Sequence, residues 1–224
     1  PTRRSSDLII GNTFDHTHSP GAIAITLSGV GAAFERHSKT TFANNILIDG
    51  TIDAINCKGL VLSGNHIYVD RSNSSNPVIH FHRGADDILV QGNTVVRKFT
   101  GTSKDFEVDP GCRLIQFASS AGFYPTNISV VDNFLEQGCD KTAIAFEDCF
   151  DVICSRNTIR KRNGAAASGN AIGYNSAASA VSGFLADGNV IRGDQAYAEL
   201  RTRTEATALL TLSANVRGRM RRAP

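Results

Sequence analysis

A short pattern of aliphatic and polar positions recurs along the chain. Its clearest copy is Asp87–Val95, in which aliphatic side chains at 88 and 90 precede two turn residues, Asn93 and a further aliphatic residue at 95. Alternating apolar and polar positions are typical of half-buried β-strands, and Asn favours tight corners. Each copy therefore predicts two short strands joined at a corner, where Asn tolerates the left-handed backbone conformation. Repeated on successive coils, these asparagines are predicted to form a ladder of side-chain amides along the rod. The same order returns around Asn12 (one residue tighter), Asn65, Asn133, Asn157 and Asn189.

A second alternating run precedes most of these copies. The runs are Ala22–Leu27, Pro77–His82, Arg113–Phe117, Thr142–Glu147 and Asn170–Asn175. Their period of two predicts strands with one inward face. The predicted inward pairs are Ile79/Phe81, Ile115/Phe117, Ile144/Phe146 and Ile172/Tyr174. One repeat thus holds three strands, and no helical period is evident before residue 195.

The repeat is irregular in length. Successive motif asparagines are separated by 53, 28, 40, 24 and 32 residues, and the first gap has room for two units. The segment Asn44–Ile52 resembles the motif but does not fit it cleanly. A leucine-rich repeat carries a similar core, but it expects a regular period of about 20–29 residues and an additional Leu upstream. Unequal gaps and a second alternating strand favour a parallel β-helix.

These motifs resemble the pectin lyase-like superfamily over residues 8 to about 195. The resemblance implies an all-β fold, a right-handed parallel β-helix of about seven coils, and an extracellular or cell-surface location. It implies no catalytic residues, because the Asp-Pro-His-Asp of alginate epimerases and the Asn-Thr-Asp with Gly-His-Gly of polygalacturonases are absent.

The ends of the chain differ from its body. Pro1–Leu8 resembles a translated sequencing adaptor, so we interpret residues 1–8 as non-native and residues 8–195 as a β-helix domain truncated at its N-terminus. For residues 196–224 two interpretations stay open. One is a capping helix over 196–212, and the other is a run-on tail.

Charge and cysteine content narrow the class of partner. Residues 8–200 contain 15 Lys and Arg against 19 Asp and Glu, which argues against the basic face that nucleic-acid binding requires. No apolar run is long enough to predict a membrane span. The five cysteines include no Cys-x-x-Cys pair and are interpreted as buried free thiols, with Cys57 and Cys149 at equivalent places, eight residues before a motif Asn.

In the superfamily that the chain resembles, substrates lie along one sheet of the rod, between its loops. The outward positions of the strands before each Asn are therefore candidates for the site. His80 and His82 alternate on one strand, and His transfers protons near neutral pH. Glu147 should lie two coils away, roughly 9 Å along the stack. We predict His80, His82, Glu147 and Asp53 as catalytic residues and Gln116, Asn175, Arg83, Arg113 and Tyr124 as substrate-binding residues.

Two functions follow from this site. One is a lyase, epimerase or glycoside hydrolase acting on an acidic polysaccharide, the hydrolase requiring a carboxylate pair drawn from Asp53, Asp86, Asp87, Glu147 and Asp148. The other is a non-catalytic glycan-binding or structural β-helix of a cell surface or phage tail, monomeric or, in a tail, trimeric. A solvated sheet face with incidental histidines is the alternative to any site. No metal is predicted at the catalytic positions, although Asp105, Glu107 and Asp109 leave calcium open as a cofactor.

Overall fold

The computed structural model consists of strands and their connections. It describes residues 7–17, 23–28, 37–69, 77–97, 113–119, 122–137, 142–161, 170–175, 183–193, 198–202, 210–213 and 216–219. Every strand pair in these ranges is parallel. Within the same ranges there is no helix, and so none that is long and apolar enough to cross a membrane.

The strands form three sheets. Sheet 1 contains, in spatial order, β1 (Leu8–Ile10), β5 (Thr41–Ala43), β9 (Val61–Ser63), β12 (Asp86–Gln91), β15 (Thr126–Val131), β18 (Phe150–Ser155), β21 (Phe184–Asp187) and β24 (Leu210–Ser213), with β4 (His37–Ser38) and β8 (Cys57–Lys58) beside them. Sheet 2 contains β2 (Thr13–Asp15), β6 (Ile46–Ile48), β10 (His66–Val69), β13 (Thr94–Arg97), β16 (Phe134–Gln137), β19 (Thr158–Lys161), β22 (Val190–Gly193) and β25 (Val216–Arg219). Sheet 3 contains β3 (Ile23–Ser28), β7 (Thr51–Ile55), β11 (Ile79–His82), β14 (Ile115–Ala118), β17 (Ile144–Glu147), β20 (Asn170–Asn175) and β23 (Ala198–Thr202).

The chain visits the three sheets in turn. It passes through β12, β13 and β14 and then through β15, β16 and β17, each of which pairs with its counterpart in the previous round. This succession is that of a parallel β solenoid and is compatible with a parallel β-helix. The prediction of three strands in each repeat is confirmed.

The described residues after 195 do not form the capping helix, which was one of the two interpretations left open for this segment. Residues 198–202 form β23, which pairs with β20, and residues 210–213 form β24, which pairs with β21. Strand pairing therefore continues past residue 195. A strand that extends an existing sheet gains backbone hydrogen bonds along its whole length, and this outweighs the weak helical spacing of Ala198 and Leu200 in the sequence.

The core lies between the sheets and contains the predicted inward residues. All four predicted inward pairs are buried, with exposures of 0–1%. The rings of Phe81 and Phe117 stack with their centroids 4.3 Å apart. Stacked aromatic and aliphatic side chains on successive strands thus form one continuous apolar core.

The motif asparagines form a buried ladder along the rod. The side-chain amide of each one donates to the Oδ1 atom of the next at 2.9–3.1 Å, and its backbone N–H donates to the same oxygen at 2.8–3.0 Å. The second amide proton of Asn93 goes to the backbone carbonyl of Leu62 at 2.9 Å. Within the ladder each side chain therefore satisfies its own polar atoms and two donors of its neighbour.

Asn45 belongs to this ladder between Asn12 and Asn65, which places the segment that the sequence pattern left unassigned. Its copy has Thr40 and Phe42 where most other copies have aliphatic residues. Both are nevertheless buried, at 7% and 0% exposure, because β5 pairs in register with β9. The long first gap therefore does contain two units.

The left-handed backbone conformation lies one residue earlier than predicted. The residue before each ladder Asn has a positive φ, and none of the ladder asparagines does. These preceding residues are Gly11, Asn44, Gly64, Gly92, Asp132, Arg156 and Gly188. The Asn is required for its amide, and the turn itself is made by its neighbour.

Three of the five cysteines lie in the described residues, and all three are buried free thiols, as predicted. Cys57 and Cys149 occupy equivalent positions, since the residues that follow them align through β12 and β15. Burial raises the pKa of the Cys57 and Cys154 thiols to about 12. These cysteines pack as small apolar side chains.

Replacement of a central ladder residue should destabilise the fold far more than replacement of a terminal one. Asn93→Ala leaves the backbone N–H and side-chain amide of Asn65 without their acceptor. At about 1–3 kcal/mol for each buried orphaned donor, we expect a loss of roughly 2–6 kcal/mol. The exposed Asn12 is the matched control, and Asn12→Ala should cost less than about 1 kcal/mol. Chemical denaturation measures both, and equal losses would contradict the structural role of the ladder.

Candidate functional site

The outward face of sheet 3 carries the candidate residues. In β11, Ile79 and Phe81 point into the core, so His80 and His82 occupy the outer side and are partly exposed. Strand register aligns Asp53 of β7 with His80, and Gln116 of β14 with His80 on the other side.

Asp53, His80 and His82 form a compact cluster on this face. The Oδ1 atom of Asp53 lies 3.4 Å from Nδ1 of His80 and 3.0 Å from Nε2 of His82. The two imidazole rings stack with centroids 4.5 Å apart and planes inclined by 7°. The side chains of His80 and His82 are 25% and 21% exposed, and the side chain of Asp53 is 16% exposed. The cluster is therefore partly buried and remains accessible to solvent from one side.

The closest contact in the cluster lacks the geometry of a hydrogen bond. Asp53 Oδ1 and His82 Nε2 are 3.0 Å apart, yet both atoms are buried and neither has a hydrogen-bond partner. Distance alone suggests a bond, but orientation decides, because a hydrogen bond weakens steeply away from linearity. Two buried polar atoms therefore converge without satisfying each other.

Glu147 lies on the same face, paired with Arg113. Register places it opposite Ala118, which is opposite His82, so two strand spacings separate Glu147 from His82, as predicted. The Arg113 Nη1 atom donates to Glu147 Oε1 at 2.6 Å. Both side chains are about one-third exposed, at 31% and 30%. The sequence pointed to each residue separately, and strand register together with the reach of the arginine brings them into contact.

The charges along this face act on His80. Its pKa is lowered from the ordinary value, first by burial and next by the neighbouring His82. Asp53 and Glu147 oppose this shift, whereas Arg113 adds to it. The neutral imidazole is thus favoured, with a free nitrogen lone pair beside a carboxylate.

The other predicted binding residues are more dispersed. Gln116 is partly exposed beside the cluster, and Arg83 is exposed in the turn after β11. Tyr124 is 38% exposed and packs edge-on against Phe150 of sheet 1, with ring centroids 5.4 Å apart. Asn175 aligns with Glu147, but its side chain lies outside the described residues. The calcium candidates Asp105, Glu107 and Asp109 also lie outside them.

Asp86 and Asp87 have structural partners. Asp86 accepts a hydrogen bond from Thr126 at 2.7 Å and lies 3.3 Å from Lys58. Asp87 has a positive φ and lies 3.7 Å from the same lysine. Their contacts link neighbouring strands of sheet 1, which agrees with the interpretation of these residues as corner acids.

Comparison of the chain with models of protein families, with curated proteins and with solved structures found no match. The assignment of function therefore depends on the geometry of sheet 3.

The lowered pKa of His80 should make the fold less stable in mild acid. The unfolded chain takes up this proton near pH ~6.5, whereas the folded chain does so only at lower pH. His80 therefore makes its full contribution to the free energy of unfolding above about pH 6.5. This contribution is lost as the pH falls from that value to the pKa of His80 in the folded chain. We expect His80→Gln to lose less stability over this range than the wild type.

Thermal melting at several pH values, with EDTA present to keep divalent cations from the imidazoles, measures this difference. Gln116→Ala removes an adjacent polar side chain that does not titrate, and serves as the control. Parallel pH profiles for the wild type and His80→Gln would contradict the effect of burial on His80.

Proposed function

We propose that this chain is a right-handed parallel β-helix protein of the pectin lyase-like kind, which acts on an extracellular acidic polysaccharide by proton transfer. The observation that carries the proposal is the outward face of sheet 3, where the Asp53–His80–His82 cluster and the Arg113–Glu147 pair lie on the same line of strands.

Uronate chemistry needs the two kinds of group found on this face. Removal of the proton next to a sugar carboxylate is easier when a cation neutralises that carboxylate. Arg113 would supply the charge by exchanging its pairing with Glu147 for the sugar carboxylate. A neutral imidazole at an ordinary pH accepts the proton, and His80 or His82 can do so. The lowered pKa of His80 keeps that imidazole in its basic form near neutrality. His82 and Glu147 are separated by two strand spacings, or roughly 9 Å, and a sugar ring can lie between side chains at this separation.

Hydrolysis by the predicted carboxylates Asp53 and Glu147 is less well supported. Their strands β7 and β17 are separated by β11 and β14, which is three strand spacings or ~14 Å. Glycosidases hold their carboxyl pair ~5–9.5 Å apart. Glu147 is in addition engaged by Arg113. Proton transfer, as in a lyase or epimerase, therefore fits the face better.

The other residues that the sequence predicted as substrate-binding lie beside or at the edges of the same face. Gln116 lies between the two parts of the site and is suited to donate to sugar hydroxyls. The exposed ring surface of Tyr124 and the exposed Arg83 lie at the turns that border sheet 3 and remain predictions as binding residues, as does Asn175.

A non-catalytic glycan-binding or structural β-helix protein is the second candidate. It is favoured by the small residues at outward register positions of sheet 3, Ala118, Ala145 and Gly173, which carry no group that could take part in proton transfer. A cell-surface or tail protein of this type would be monomeric or trimeric and would hold a glycan without altering it. Both candidates act outside the cell, need no cofactor for polysaccharide recognition, and involve neither nucleic acid nor membrane.

Removal of an imidazole tests the first candidate. On a panel of acidic polysaccharides, we expect His82→Ala to lower kcat by ~10²–10⁴, the usual contribution of a positioned acid or base. The ultraviolet absorbance of unsaturated sugars detects lyase products, and reducing-end assays detect hydrolysis. The matched control is His66→Ala, which removes an exposed imidazole from sheet 2 and should keep wild-type turnover.

Melting curves of both variants establish that each is folded. Undiminished turnover by His82→Ala would exclude this site. Absence of turnover by the wild type on every member of the panel, together with saturable glycan binding, would favour the second candidate.

A further inference from the structure

We propose that Asp53, His80 and His82 form a binding site for one divalent transition-metal ion, with zinc the best match. The inference does not depend on the polysaccharide proposal, because it follows from the geometry of three side chains alone.

The ligand atoms converge as metal ligands do. One carboxylate oxygen and one nitrogen from each imidazole all lie within 4.8 Å of one another. Zinc binds such atoms at ~2.0–2.2 Å, so neighbouring ligands around it are ~3.0 Å apart at right angles and ~3.4 Å apart in a tetrahedron. Asp53 Oδ1 lies 3.0 Å from His82 Nε2 and 3.4 Å from His80 Nδ1. The distances therefore match a shared ion, and binding requires the two stacked imidazoles, whose planes are inclined by only 7°, to rotate until both lone pairs point at it.

The polar atoms at the centre of the cluster have no other hydrogen-bond partner. Asp53 Oδ1 and His82 Nε2 are both buried and both lack one. Leaving two such atoms unsatisfied costs ~1–3 kcal/mol each, whereas a shared cation satisfies both. The convergence of these atoms without a mutual hydrogen bond is thus accounted for by a ligand located between them.

The donor set selects the class of ion. Imidazole and carboxylate together suit zinc and divalent iron, cobalt or nickel, whereas calcium and magnesium prefer sites made entirely of oxygen. Among the described residues the cluster has three such ligands, which leaves a coordination position open on the exposed side, as in catalytic zinc sites.

The scaffold under the site is rigid. The ligands alternate along β7 and β11 with Ile52, Ala54, Ile79 and Phe81, which are 0–1% exposed. Strand register fixes Asp53 opposite His80, and the two histidines are separated by one residue on the same strand. The backbone that carries the ligands is therefore fixed, and ion binding needs a change only in the side-chain torsions of the two histidines.

Isothermal titration of the tag-free, chelator-treated protein with ZnCl2 tests the site. We expect one ion for each chain and a higher melting temperature. Added Co²⁺ should give visible ligand-field absorption from an ordered site containing nitrogen. Asp53→Asn and His82→Ala should each weaken zinc binding at least 10-fold and reduce this absorption, whereas His66→Ala, outside the site, should behave as the wild type. Ca²⁺ should not compete with Zn²⁺ for this site in the same titration.

Asp53→Asn preserves side-chain volume on an outer face, and its unfolding curve checks that the variant remains folded. Lack of stoichiometric zinc binding by the wild type, or wild-type affinity in the folded Asp53→Asn and His82→Ala variants, would overturn the inference. Calorimetry without any sugar measures the ion alone, so this inference and the polysaccharide proposal fail separately.

Discussion

The hydrogen-bonded asparagine ladder, which has seven members among the described residues, is the constraint on which the rest of the structure depends. Each buried amide donates to the next and accepts two bonds from the one before, so its polar atoms are satisfied only when neighbouring rounds of chain are stacked in one register. That register determines which residues of each strand after the corner face the core and which face outward. With this register the apolar side chains of successive rounds pack against one another in the core. The cost of burying a polar asparagine in each round is offset by the hydrogen bonds of the ladder.

The candidate site is a direct result of this register. On a stacked sheet, residues that are distant in sequence are brought opposite one another at a spacing of ~4.8 Å, and Asp53, His80 and Gln116 share one such line while His82 and Glu147 share another. Side-chain length then determines which contacts form. Asp53 reaches both imidazoles across one strand spacing, and Arg113 reaches Glu147. A proton-accepting imidazole and a metal-binding imidazole use the same lone pair, so the two proposed roles of the cluster exclude each other at any one moment.

Much of the fold could be predicted because a period of two and a recurring Asn are properties of the sequence itself. The inward pairs such as Ile79 and Phe81 follow from alternation. Asn45 was missed because Thr40 and Phe42 interrupt the aliphatic pattern, although pairing with the neighbouring strand buries them. Of the two interpretations left open after residue 195, the capping helix does not agree with the described strands β23 and β24, because spacing within one segment does not reveal the backbone hydrogen bonds that a neighbouring strand offers. The cluster itself was only partly foreseen. The outward positions were predictable, but the approach of Asp53 to both histidines depends on side-chain conformations that a linear pattern does not contain.

Between consecutive ladder residues the chain runs for as few as 20 or as many as 40 residues, yet the amide contact stays within 2.9–3.1 Å. The difference in length lies between strands, so stacking distance is independent of how much chain each round contains. Segments can therefore be inserted, exchanged or shortened at the borders of sheet 3 while the core keeps its packing. Such an architecture lets recognition diversify separately from stability, and it makes the borders of this sheet suitable places to graft new binding segments.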